Sequence, residues 1–352
     1  MSEDMNISDM LTEQLERLLS REVNQQVLAA AEQGQFAASL WQEIADMDIA
    51  SALVPEAAGG AGLSWSEIES AWRTCGRHVA PVPLGETMIA AWALGKAGLG
   101  VPQIPLTIST AIWELDGAGK LSGSDPMLAW GGQVEGIVGI AKKDDRYYVC
   151  LLRGADVHLD AVQTYERTPM ARVSFSGVTP QQLGETDAVG ELGLQAHLAV
   201  LRVVQMAGAL DRILSLCIEY GNTRVQFGKQ IGKFQAIQHM IAELAGHAAA
   251  AQVAGLYACR QIDGGTVEEV TFGAAVAKTR LGSAATRATA IAHQVFGAIG
   301  VTDEHQLHYF TRRLWQWRAD AGSEHSWSEY LGRRALKDGG DGLWDKLARH
   351  GR

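Results

Sequence analysis

All eight prolines of this chain lie at or before Pro180, and residues 181–352 contain none. Proline removes a backbone donor and clashes inside a helix, so a stretch this long without it is free to form long helices. The same half is rich in Ala, Leu, Gln and Arg, which are good helix formers. A helical bundle is the economical fold for it. The first hundred residues also space apolar positions three and four apart, as in "LTEQLERLLSREVNQQVLAAAE" and "SWSEIESAWRTCGRHV". The Gly-rich "PEAAGGAGLS" divides those two helices, and Ser64 or Ser66 is placed to cap the second.

Between about Ile104 and Val178 the texture changes. "PLTISTAIWEL", "RYYVCLL" and "MARVSFSGV" are short, β-branched or aromatic, and bounded by Gly, Asp and Pro, which predicts strands. The expected fold class is therefore mainly α with a small β domain: a helical domain over 1–103, a shortened β domain over 104–185, and a helical bundle over 186–352. At 352 residues the chain exceeds one ordinary core, in keeping with several packed units.

With 47% hydrophobic and 20% charged residues the chain reads as globular, and its net charge of −10 argues against nucleic acid as a partner. An anionic ligand needs a local basic patch. Cys75, Cys150, Cys217 and Cys259 stand far apart with no CxxC pair, which predicts neither a zinc site nor a disulfide framework and fits a reduced cytoplasm. The acidic N-terminus lacks an apolar signal core and no run of eighteen apolar residues occurs, so no membrane association is expected. Even "HLAVLRVVQMAGAL" is interrupted by Arg202 and Gln205.

Two segments concentrate polar, aromatic and glycine residues. "RVQFGKQIGKFQAIQ", residues 224–238, places Arg224 near the end of a helix that begins around Leu198, with Phe227 and Gly228 breaking it. Arginine suits bidentate phosphate contacts and glycine lets backbone approach an oxyanion, so the stretch reads as a phosphate grip beside a planar group. It reads equally as a helix C-terminus with Arg on the dipole and Gly as the stop. The second, "HQVFGAIGVTDEHQLHYFTRRLWQWRADAG", combines Gln294, Gly297 and Gly300 with a basic, aromatic helix; alone, Gly297 reads as well as a close-packing position.

Together these stretches resemble the acyl-CoA dehydrogenase family. Its "R-x-Q-F-G" and "F-Q-x-x-Q" appear as Arg224, Gln226, Phe227, Gly228, Phe234, Gln235 and Gln238. Its "A-K" helix and "Q-x-x-G-G-x-G" turn appear as "VAKTRL" and "QVFGAIG", with Ala298 in place of the second glycine. "DIASALVPEAAGGAGLSWSEI" resembles its N-terminal helical domain. The resemblance implies an N-terminal helical domain, a middle β domain and a C-terminal four-helix bundle. It also implies FAD at a subunit interface, with Arg224 on the pyrophosphate, Phe227 and Gln235 beside the cofactor, and Gln294, Gly297 and Gly300 on its ADP portion.

The catalytic side of the pattern is missing. The family's base is a Glu in a "Glu-Gly-Thr" turn, and "RADAGSEHS" aligned on its glycine puts Ala321 there. The other position from which members supply the base falls near Leu198, where no acid occurs. Glu324 and Asp320 are the nearest carboxylates, each expected in a surface salt bridge to Arg318 or Arg313. Gly123-Ser124-Asp125 lacks the family's preceding Thr-Glu-Pro and is expected to be an ordinary turn. His305 and His308 have no evident third metal ligand, so no metal is expected. Trp315, Trp317 and Trp327 are expected in packing or interfaces. "RRLWQWR" faces either CoA phosphates or a solvated or inter-subunit surface.

The resemblance thus implies a short, degenerate subunit of a heteromeric dehydrogenase of α2β2 type. Such members often act on bulky substrates such as CoA-activated steroid side chains. A homomeric enzyme using Glu324 as base, and a flavin-free structural or acyl-CoA-binding module, are the alternatives.

Overall fold

The computed structural model describes residues 6–350; the outermost residues of the expected terminal domains lie outside that range. The N-terminal part holds α1 (Ile7–Glu22), α2 (Gln25–Glu32), α3 (Ala38–Ala45), α4 (Trp65–His78) and α5 (Leu84–Lys96). Ser64 starts α4 through a capping box: its hydroxyl accepts from the Glu67 N–H at 3.3 Å, and Glu67 accepts from the Ser64 N–H at 2.8 Å.

Seven strands follow: β1 (Leu106–Leu115), β2 (Leu121–Ala129), β3 (Gly136–Lys143), β4 (Arg146–Arg153), β5 (His158–Val162), β6 (Met170–Val178) and β7 (Gln182–Thr186). They form one sheet in the order β5-β6-β2-β1-β3-β4-β7. β1 and β3 run parallel and the other pairs antiparallel. Trp113, Leu121, Ile137, Cys150 and Val173 give the sheet a core of its own.

Gly123-Ser124-Asp125 is not a turn, contrary to the sequence expectation. It lies within β2, where pairing with β6 shifts register between Asp125 and Leu128. The buried Asp125 carboxylate organises that bulge by accepting from Ser109 Oγ (2.7 Å) and from the N–H groups of Thr110 (2.9 Å) and Met127 (2.9 Å). Turn-type residues and Pro126 are tolerated in the strand because a bulge leaves backbone groups unpaired.

The proline-free half forms α6 (Gln195–Thr223), a two-stranded ribbon of β8 (Val225–Gln226) and β9 (Lys229–Gln230), α7 (Gln235–Gly264), α8 (Val267–Phe296), α9 (Leu307–Ala319) and α10 (Glu324–His350). α6 is the central member, with nineteen of its 29 residues buried. It touches α4 backbone to backbone. A Cβ on Gly208 would lie 1.9 Å from the Arg73 carbonyl oxygen, and one on Gly76 would lie 2.0 Å from that of Gln205. The N-terminal helices are further tied to the bundle by Asp263, which accepts from the N–H groups of Trp65 (2.6 Å) and Ser66 (3.0 Å). All four cysteines are buried and unpaired, and no described helix is long and apolar enough to cross a membrane.

Candidate functional site

The segment singled out first forms a compact device at the C-terminal end of α6. Arg224 leaves the helix in extended conformation while its N–H still bonds to the Tyr220 carbonyl at 2.9 Å. The chain then reverses through Phe227 and Gly228, both left-handed (φ +51° and +77°), the two-residue turn that matches the twist of paired strands. Phe227 is thrown outward and is 91% exposed, with its ring edge-on to Phe234 at 6.2 Å. Gln238 of the "F-Q-x-x-Q" run closes the loop by donating to the Gly232 carbonyl at 2.9 Å.

The second segment ends α8 at the same place. Phe296 stacks on Tyr220 with ring centroids 4.4 Å apart, which ties the ends of α6 and α8 together. Gly297 turns the chain with φ +62° and ψ −143°, a conformation L-residues rarely adopt, and open space lies where a Cβ would point. Residues seventy apart in sequence thereby line one open groove of about 680 Å³, with Arg224, Phe227, Gln294 and Gly297 on its wall. Gln235 opens α7 between the wall residues Phe234 and Ala236. Gly300 is set back: it is buried, and a Cβ there would meet Phe296 Cβ at 2.8 Å. The packing role weighed for Gly297 therefore falls on Gly300.

The groove fits a dinucleotide in its chemistry. Its described wall carries a guanidinium, carboxamides and aromatic rings and no carboxylate, and its Gly297 backbone is unshielded. A diphosphate finds a cation and open backbone there, and a ring system finds an apolar wall.

Further back along α6, around Arg202, the structure is closed. Arg202, read from sequence only as an interruption, is buried and donates Nη2–H to Glu86 (2.8 Å), Nε–H to Asp320 (3.1 Å) and Nη1–H to Gln205 (2.8 Å). Burial works against its charge, but Glu86, Asp320 and Glu166 outweigh it and hold the guanidinium firmly protonated. Beside it the buried Arg313 reaches Glu166 at 3.1 Å; burial pushes that carboxyl above its usual range, and Arg313 opposes the shift. Lys278, also buried, donates to the carbonyls of Trp317 (2.6 Å), Arg318 (3.1 Å) and Asp320 (2.7 Å). Burial pushes the Lys278 ammonium down to about 7, with Asp320 the strongest opposing charge. The space left among Glu86, Trp130, Glu166, Arg202, Arg313 and Trp317 is about 20 Å³, room for about one water.

Several expectations change here. Asp320 is not in a surface salt bridge with Arg318 or Arg313; it is buried against Arg202. Glu324 does pair with Arg318, which holds its carboxyl below the usual range. Ala321 stands in left-handed conformation (φ +54°), its carbonyl accepting from Trp327 Nε1 at 3.0 Å. Leu198 is a buried apolar residue. The arginines of "RRLWQWR" are not free for phosphate: Arg312 pairs with Glu32, Arg313 with Glu166 and Arg318 with Glu324. Trp317 and Trp327 are packed, while Trp315 is 41% exposed. His308 donates Nδ1–H to the His305 carbonyl, and no metal-binding group of three or more His, Cys, Asp or Glu occurs among the described residues.

Comparison with known proteins agrees with this layout. The model of the acyl-CoA dehydrogenase N-terminal domain matches residues 7–99, and that of the C-terminal domain matches residues 195–335. The acyl-CoA dehydrogenase IpdE2 of Mycobacterium tuberculosis is 30% identical over 277 residues, covering 78% of this chain and 80% of that protein. Among solved structures, the ChsE4-ChsE5 complex from Mycobacterium tuberculosis superposes with TM-score 0.82 at 21% identity, covering 97% of this chain and 99% of that one. The Tcur3481-Tcur3483 steroid ACAD does so with TM-score 0.83 at 23% identity, covering 97% and 98%. The chain belongs to the acyl-CoA dehydrogenase family and has its three-part fold.

Proposed function

We propose that this chain is the non-catalytic partner in a heteromeric acyl-CoA dehydrogenase of α2β2 type, lending its groove to FAD held mainly by a second subunit. The observation that carries the reading is the contrast between two places along α6. The end bearing Arg224 is an open, cation-bearing groove, whereas the stretch around Arg202 is filled by ion pairs. A self-sufficient enzyme needs a carboxylate beside the acyl α-carbon and space for the thioester. Aligned on the glycine of "RADAGSEHS", Ala321 falls at the base position, and Glu324 is held by Arg318.

Arg224 would hold the cofactor's diphosphate, Phe227 and Gln235 would flank it, and Gln294 and Gly297 would meet its adenosine side. Gly300 would support that turn from beneath. FAD there supplies the hydride acceptor for α,β-dehydrogenation of an acyl-CoA thioester bound by the partner. Heteromeric and steroid enzymes among the structural neighbours support a bulky, steroid-type acyl substrate for the complex. A cytoplasmic setting suits the unpaired thiols.

The test is flavin content of the complex formed when the tagged chain is produced with its partner dehydrogenase subunit. Arg224→Ala removes the one guanidinium among the described residues of the groove wall, and a charge-assisted contact of this kind is worth about 1.5–3 kcal/mol. FAD affinity of the complex should fall about tenfold or more with assembly intact. Unchanged affinity contradicts the assignment.

A further inference from the structure

We infer that His197 marks a second binding site, one that takes an uncharged, largely apolar molecule carrying a hydroxyl group. The site lies at the N-terminal start of α6, 27 residues from Arg224. That is about 40 Å along the helix at 1.5 Å per residue, so the inference stands independently of the FAD groove.

Two clefts, of about 700 Å³ and about 590 Å³, meet there and share Ala188, His197, Val267 and Val270 in their walls. Each is of the size that accepts a small organic molecule. His197 is only 3% exposed, and its ring lies 5.4 Å from that of Trp65 and 4.8 Å from that of Trp92. Trp65 Nε1 is buried without a hydrogen-bond partner among the described residues, and His197 Nδ1 is buried with none in good hydrogen-bond geometry, only the Gly193 backbone acting weakly on its ring. Leaving a buried polar atom unpaired costs about 1–3 kcal/mol, so two on neighbouring rings beside a cleft call for a group that satisfies them.

The chemistry of the two atoms selects that group. An indole N–H only donates. Burial pushes the His197 imidazolium down to about 4, so at neutral pH the ring is uncharged and offers one donor and one acceptor nitrogen. A hydroxyl accepts from the indole and donates to an imidazole nitrogen, whereas an ammonium lacks the acceptor and a carboxylate lacks the donor. Charge around the clefts excludes phosphate-bearing ligands. Glu56, Asp187 and Asp263 border the first and Glu191 and Glu268 the second, against Lys96 alone among the described lining residues. The first cleft also carries Ser64 and Thr266, whereas the wall of the second is mostly apolar and aromatic, with Val189, Leu192, Tyr147 and Tyr330, and it is this second cleft that sets the body of the ligand.

The test uses 2-naphthol as probe, titrated against the full chain and followed by its fluorescence. One saturable site per chain is expected, weakened about tenfold or more in His197→Phe, which keeps the ring and removes both nitrogens. Arg224→Ala should bind like the wild type, and millimolar coenzyme A should fail to displace the probe. Absence of saturable binding, equal affinity in His197→Phe, or displacement by coenzyme A would overturn the inference. Should His197→Phe fail to fold, Val267→Trp narrows the shared wall while leaving His197 in place. It should weaken the probe to the same degree, and undiminished binding would overturn the inference as well.

Discussion

Single residues divide into those whose neighbours in sequence explain them and those whose partners arrive from far away. Arg224, Phe227, Gln294 and Gly297 were legible because each belongs to a short, spaced motif, and the structure gathers them on one groove. Arg202 and Lys278 were not, since their partners come from another domain or from forty residues downstream. For Arg202 the only signal was a charged side chain inside an apolar helical run, a pattern that predicts a buried ion pair once the helix is known to be central, while Lys278 stood out only as the Lys of the "A-K" helix. His197 gave no signal at all. It makes a prediction at its own scale: its imidazole titrates near 4 in the fold against the ordinary 6.5. Between those values the unfolded chain holds a proton that the folded chain does not. The contribution is therefore complete above pH 6.5 and is lost as pH falls towards 4, amounting to roughly 3 kcal/mol. His197→Gln should flatten the pH dependence of the urea midpoint in that window, and an unchanged slope would contradict the assigned neutral state.

At the scale of elements, the crossing of α4 over α6 is the contact least open to substitution. Two glycines let the helices meet with backbone oxygens under about 2 Å from where a Cβ would stand. Gly208→Ala must push the helices apart, and overpacking of this kind costs about 1–3 kcal/mol. Gly246, inside α7 with nothing within 4 Å of a Cβ, is the control. Gly246→Ala should be neutral or stabilise by up to about 1 kcal/mol through helix propensity. Chemical denaturation of both variants decides the matter, and equal stability would mean the helices are not in backbone contact. The long helices were legible because proline is missing after Pro180 and the residues that remain favour helix. β2 was not, because Gly, Ser, Asp and Pro at a bulge look like a turn until the neighbouring strands are known.

Across the whole molecule, one helix joins two opposite roles. α6 presents a groove to solvent at its C-terminal end and spends its N-terminal half holding three parts of the chain together. Glu86 comes from the N-terminal helices, Glu166 from the β domain, and Arg202, Lys278, Arg313 and Asp320 from the bundle. If all six are ionised their charges cancel, three against three, so the cluster closes the centre without leaving a net charge buried. Around this cluster the space left is only about 20 Å³, which is why the proposed role is half of a cofactor site rather than a complete one. The most direct measurement is the visible absorption of the purified chain, first alone with excess FAD and then after mixing with the proposed partner dehydrogenase subunit. Alone, the chain is expected to retain almost no flavin after gel filtration, and the mixture is expected to retain it with a shifted band. Near-stoichiometric flavin on the isolated chain, together with turnover of an acyl-CoA, would contradict a non-catalytic half-site.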